Sequence, residues 1–82
     1  MNIDTLNNLN LEETAYIIEN NIKKENKQLL TNLGLTKNTK VKCLYKSPFG
    51  DPTAYQIKNV ILAIRKEDAN QIMILRSENG TY

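Results

Sequence analysis

The alternation of apolar and polar positions divides the chain into short pieces. Thr14-Ala15-Tyr16-Ile17-Ile18 is rich in β-branched and aromatic residues and stops at Glu19 and two asparagines, which predicts a first strand. Lys24 to Leu33 has a different period. Leu29 and Leu33 are four apart and Leu30 and Leu33 three apart, so they share one face of a predicted helix and are expected in the core. Gly34 follows at once, suited to the left-handed turn that ends a helix, and Leu35 stands where it can pack back on the last turn. Thr36-Lys37-Asn38-Thr39 reads as a turn. Lys40 to Lys46 then alternates, which predicts a strand with Val41, Cys43 and Tyr45 facing inward and Lys40, Lys42, Leu44 and Lys46 outward.

Ser47-Pro48-Phe49-Gly50-Asp51-Pro52 is the strongest break in the pattern. Pro48 and Pro52 lack an N–H, and Gly50 accepts positive φ. Thr53 to Ile57 and Val60 to Arg65 read as two strands joined through Lys58-Asn59, with Asn59 the residue expected to take the left-handed conformation of a tight hairpin. Lys66 to Asn70 is one helical turn, and Gln71 to Arg76 a last strand. Residues 1–13, carrying Ile3, Leu6, Leu9 and Leu11, form a polar lead-in expected to make a short turn that plugs one end of the fold. Five short strands with closely spaced turns point to a small, mainly β barrel.

At 82 residues the chain is one domain, spanning 1–82, and its core is small. The longest apolar run, Val60 to Ile64, is far below the roughly 20 residues of a membrane helix. The first basic side chain is Lys23, so no secretory signal is expected at the start, and the single Cys43 suits a reducing compartment. The net charge of +2 hides an asymmetry: residues 1–22 hold four acids and no base, while the remainder holds all 11 bases against five acids. A basic body suits phosphate or an acidic partner.

The chemistry-bearing residues are sparse. The chain has no His and one Cys, which argues against a site of nitrogen and sulfur ligands for a transition metal. Asp51 sits in a Gly-Asp-Pro turn, where a side-chain-to-backbone bond is favoured, and Glu67 and Asp68 open a helical turn and meet its positive end, so turn structure accounts for all three without a metal. Three separated glycines make no phosphate loop. Cys43 is expected to be buried and inert. Without Trp, and with Tyr45 and Tyr55 expected in the core, neither a proline-peptide groove nor an aromatic platform for nucleic acid is predicted. No catalytic residue, metal or cofactor is expected.

Three separated stretches carry a family resemblance: Leu29-Leu30 with Leu33-Gly34-Leu35-Thr36 and then Val41; Pro48-Phe49-Gly50-Asp51-Pro52 after Ser47; and Ala63-Ile64-Arg65-Lys66-Glu67-Asp68-Ala69. In order and spacing they resemble the ferrous iron transport protein A (FeoA) family, most clearly over residues 29–76. The hairpin departs from that pattern, with Asn59 and Val60 where a glycine and an aromatic are usual. The resemblance implies an SH3-like five-stranded barrel with one helix inserted after the first strand and a short helical turn before the last. It implies a free-standing cytoplasmic accessory module, a monomer or weak dimer, that acts on the GTPase-bearing ferrous iron transporter FeoB and meets the membrane only through that partner. An adaptor for another partner, such as an iron-responsive regulator, and a small nucleic-acid binder are the alternatives. The contact surface is expected on the outward strand positions Lys42, Leu44, Lys46 and Ile61, where two aliphatics lie within a basic rim. The Pro48–Pro52 loop is the second choice.

Overall fold

The computed structural model describes residues 2–22, 32 and 34–76. The helix expected over Lys24 to Leu33, with Leu29, Leu30 and Leu33, lies outside the described residues apart from Asn32. Six strands form one antiparallel sheet: β1 (Ile3–Thr5), β2 (Thr14–Asn20), β3 (Lys40–Lys46), β4 (Thr53–Ile57), β5 (Val60–Ile64) and β6 (Ile72–Arg76). Their order is β1-β6-β2-β3-β4-β5. Two features correct the expectation from sequence. The sheet is not a closed ladder, since β1 and β5 are its two edges. The lead-in also supplies a strand of its own, too short and too polar at Asp4 to stand out by alternation. A helical turn, α1 (Lys66–Ala69), precedes β6.

The core lies on one face of the curled sheet. Ala15 and Ile17 of β2, Val41 and Cys43 of β3, Tyr55 and Ile57 of β4, Ile64 of β5 and Ile72 and Ile74 of β6 are all buried there. Leu62 packs against them, half-buried. Leu6, in a single 3-10 turn (Leu6–Asn8), and Leu9 just after it complete the same cluster. The lead-in therefore plugs the core side of the sheet, as its leucines predict, while Ile3 and Leu11 stay exposed. Tyr55 reaches this plug directly: its hydroxyl donates to the Leu6 carbonyl at 3.2 Å. Burial pushes the Tyr55 phenol up to about 12, which keeps it a neutral donor.

The lead-in is tied down by charge as well as by apolar burial. Arg76, at the end of β6, donates to Asp4 Oδ2 at 2.7 Å, to the Asn8 carbonyl at 3.1 Å and to the Glu13 carboxylate. Asp4 also accepts from the Asn8 side chain at 2.8 Å and from the Thr5 N–H at 2.7 Å. The Asn8 bond first, then Arg76 and the Thr5 N–H, holds the Asp4 carboxyl down at about 2, below its ordinary 3.8. Burial pushes the Glu13 carboxyl upward, but the Arg76 hydrogen bond and the Asn10 N–H outweigh it and the net shift is downward.

Gly34 is needed where it stands. It has φ +112°, a backbone conformation that strains any side chain, and a Cβ there would press on Ile57 Cγ2 at 3.1 Å. The β4–β5 hairpin differs from the sequence expectation. Lys58, not Asn59, takes the positive φ, at 56°. A two-residue hairpin loop with positive φ at its first position follows the twist of the flanking strands, and that demand overrides the preference of Asn for the left-handed region.

Two outcomes check this account. Leu6→Ala should destabilise the domain by about 2–5 kcal/mol, the range for a core leucine; chemical denaturation that finds a surface-sized change would remove Leu6 from the core. For Asp4, a depressed carboxyl stabilises the fold fully above its unfolded value near 3.8, and the gain is lost as pH falls toward about 2. The stability gap between the wild type and Asp4→Asn should therefore be constant from neutral pH down to about 4–5 and close below it, as read from urea midpoints across pH.

Candidate interaction surface

The outer face of β3, β4 and β5 is built in rows set by register. Thr14, Lys42, Gln56 and Ile61 lie opposite one another across β2, β3, β4 and β5. The next outward row is Tyr45, Ala54 and Ala63. A bulge separates the two on β3, because the pairing shifts between Cys43 and Tyr45 and Leu44 has no partner of its own on β4. One extra residue turns every later side chain to the opposite face. Tyr45, expected in the core, is therefore outward and 61% exposed. Leu44, expected outward, sits half-buried in the bulge. Tyr55 takes the aromatic place in the core.

The four side chains proposed from sequence are thus partly brought together. Ile61 is outward and 62% exposed, and Lys42 shares its row. Lys46, expected outward, is exposed at the end of β3 but in the row of buried Thr53 and Ile64, because the bulge that turns Tyr45 outward turns Lys46 to the other face. Leu44 is displaced, and Tyr45 replaces it as the apolar group on β3. Strict alternation could not find Tyr45, since nothing local to Lys42-Cys43-Leu44-Tyr45 marks a bulge. Small Ala54 and Ala63 lie between Tyr45 and Ile61, so the two large side chains border a shallow apolar strip.

One end of this face is basic. An open groove of about 700 Å³ is lined by Lys37, Lys40, Lys42 and Lys58, with Thr, Asn and Gln side chains and no carboxylate. It lies between the turn at 36–39 and the β4–β5 hairpin. Hydrogen bonds fix that turn: Asn38 N–H donates to the Ile17 carbonyl at 2.6 Å, and the Thr36 and Thr39 hydroxyls are 2.9 Å apart. Lys42 pairs with Glu12 at 3.2 Å; among the described residues the other three lysines have no ion pair.

The Pro48–Pro52 loop projects Phe49 into solvent, 95% exposed, with Gly50 at φ +83° and a cis Asp51-Pro52 peptide. The Asp51 side chain does bond to backbone, but at a distance in sequence: Oδ1 accepts from the Lys66 N–H at 2.7 Å. Arg65, which precedes α1 at its N-cap, offers no side-chain cap, so Asp51 satisfies the first helical N–H from another loop. Glu67 and Asp68 lie in the first turn of α1. Among the described residues no three His, Cys, Asp or Glu side chains come together in a way that could hold a metal ion. Among the same residues no helix is long and apolar enough to cross a membrane.

The family model for the FeoA domain matches residues 5–76. The chain belongs to the FeoA family. Its fold is that of solved FeoA proteins. It is similar to a FeoA-like protein from Clostridium acetobutylicum, at 20% identity and TM-score 0.84 over 100% of this chain and 95% of the other. It is similar to Stenotrophomonas maltophilia FeoA, described as a prokaryotic SH3 domain protein complexed with zinc, at 26% identity and TM-score 0.74 over 85% and 87% of the two chains. A manganese-dependent transcriptional repressor shares the fold at 10% identity and TM-score 0.81, covering 92% of this chain and 42% of the repressor. No curated protein matches the chain in sequence. Membership makes this a small protein of ferrous iron transport with an SH3-like fold.

The fold leaves Cys43 without access to solvent, and burial pushes its thiol above the ordinary value. Reaction with an aromatic disulfide reagent should be slow in the native protein and rapid in denaturant; fast native labelling would contradict the inward placement of Cys43.

Proposed function

We propose that this FeoA domain is a non-catalytic interaction module that acts on the cytosolic part of a FeoB-type ferrous iron transporter through the outer face of β3–β5. The observation that carries this reading is the pair Tyr45 and Ile61, both more than half exposed on a sheet whose core is already filled from its other face. Lys42 flanks them on the outer face, and the lysine groove continues that face. Such a basic rim favours an acidic partner surface and makes association sensitive to salt. Family membership supplies the ferrous iron context.

The metal named for the Stenotrophomonas protein does not suit the donors of this chain. It has no His, Cys43 is buried, and the Asp51 carboxylate is engaged by the Lys66 backbone. The proposed role uses no metal at Asp51, Glu67 or Asp68.

A Tyr45→Glu, Ile61→Glu double variant tests the surface. It should keep the wild-type circular dichroism and melting, because both side chains are already in water, and lose capture of the purified cytosolic GTPase domain of the transporter. Capture that survives the double variant would move the contact to the Phe49 loop. Retention of the wild type on nucleic acid at physiological salt, with no capture of the transporter domain, would overturn the proposal in favour of a nucleic-acid role.

A further inference from the structure

β5 is one of the two edges of the sheet, and among the described residues nothing covers it. Val60-Ile61-Leu62-Ala63-Ile64 is five apolar residues in succession, paired with β4 without a bulge. Natural edge strands are blunted by an inward charge, a proline, a bulge or a covering segment. β5 carries none of the first three. The register also identifies its free backbone groups. The hairpin closes through the pair Ile57 and Val60, so Val60, Leu62 and Ile64 exchange hydrogen bonds with β4. The N–H and C=O groups of Ile61 and Ala63 then point away from the sheet. Among the described residues nothing pairs with them.

A second copy of the chain is a poor occupant. Antiparallel pairing of two β5 strands over their whole apolar run would bring the Lys58 end of each copy toward the Arg65 and Lys66 end of the other, just outside the paired residues. Like charges gathered at both ends of the pair repel. Lys58, Arg65 and Lys66 have no side-chain ion pair among the described residues, so each end of the edge offers a cation, although Asp51 holds the Lys66 amide and Glu67 and Asp68 follow it.

We infer that β5 accepts an extended segment of another protein by strand addition, and that this segment has a short apolar or β-branched centre with acidic residues at both ends. The backbone of Ile61 and Ala63 provides the ladder bonds, and Lys58 at one end and Arg65 and Lys66 at the other select the flanking charge. The inference concerns backbone groups rather than the outward side chains of Tyr45 and Ile61, and it stands whichever protein supplies the strand.

The test uses the full chain and two acetylated synthetic peptides, EDVTVTVDE and KKVTVTVKK. The acidic peptide should bind saturably, at least about tenfold more tightly than the basic one, and weaken with added salt. Hydrogen exchange should show the Ile61 and Ala63 amides fast in the free protein and slowed by the acidic peptide. Ala63→Pro removes one outward N–H at a position where an edge strand tolerates proline, so it should keep the fold and lose the peptide. If that variant does not fold, the exchange measurement decides alone. Protection of both amides in the free monomer, equal binding of the two peptides, or undiminished binding by a folded Ala63→Pro variant would each overturn the inference. Self-association of the free chain that protects these two amides would do the same, in favour of a second copy.

Discussion

Arg76 is the tie on which the fold depends. A sheet of six short strands with one buried face must close its core at the ends as well as across the strands. Here one end is closed by Leu6 and Leu9, which come from a segment with little apolar surface of its own. Arg76 holds that segment at Asp4, Asn8 and Glu13, so a single side chain on the last strand spans the β1 strand, the 3-10 turn and the approach to β2. A partly buried guanidinium with three acceptors is well satisfied, which is the condition under which a charge near a core stabilises the fold. The acidic excess of residues 1–22 thus has a structural use in two of its four carboxylates, and a third, Glu12, is spent on Lys42.

A second constraint joins two stretches that look independent in the sequence. Asp51 belongs to the Pro48–Pro52 loop and Lys66 opens α1, yet the carboxylate of one caps the amide of the other. A four-residue helix cannot supply its own partners for its first N–H groups, and Arg65 offers none. The loop motif and the helix motif are therefore one device, which sets Phe49 outward while α1 delivers the chain to β6. A metal role for Asp51 would compete with this bond.

Much of the fold was legible because its signals are local. The alternation over Lys40 to Cys43, the breaker at Pro48 to Pro52, the two-residue hairpin and the helical turn after Arg65 each depend on a few neighbouring residues. The losses are non-local. β1 exists because β6 is beside it, the Leu44 bulge because β3 must follow β4, and the positive φ of Lys58 because the hairpin must twist with its strands. The bulge had the largest effect on the surface. It moved Tyr45 out of the core and Leu44 out of the outer face, so the sequence located the right strands and the right outward Ile61 but named the wrong apolar side chain on β3. The closure expected of a barrel also failed, since alternation predicts strands but not which edges meet.

The open edge and the outward face bear on recognition in different ways. A side-chain patch such as Tyr45, Ala63 and Ile61 distinguishes partners by shape and is readily changed by substitution. A backbone edge is indifferent to the identity of its own side chains, so its selectivity must come from what surrounds it. Around β5 the flanking cations are Lys58 at the hairpin, Arg65 after the strand and Lys66 at the start of α1, where Asp51, Glu67 and Asp68 also lie. Around the outer face the cations are the lysines of the groove. On the proposed reading, both surfaces would therefore favour acidic partners over basic ones. In a domain with so small a core, this common sign would be the physical basis of the proposed partner preference: Arg76 and Asp51 tie the framework together by hydrogen bonds, and the lysines outside those ties remain for another protein to meet.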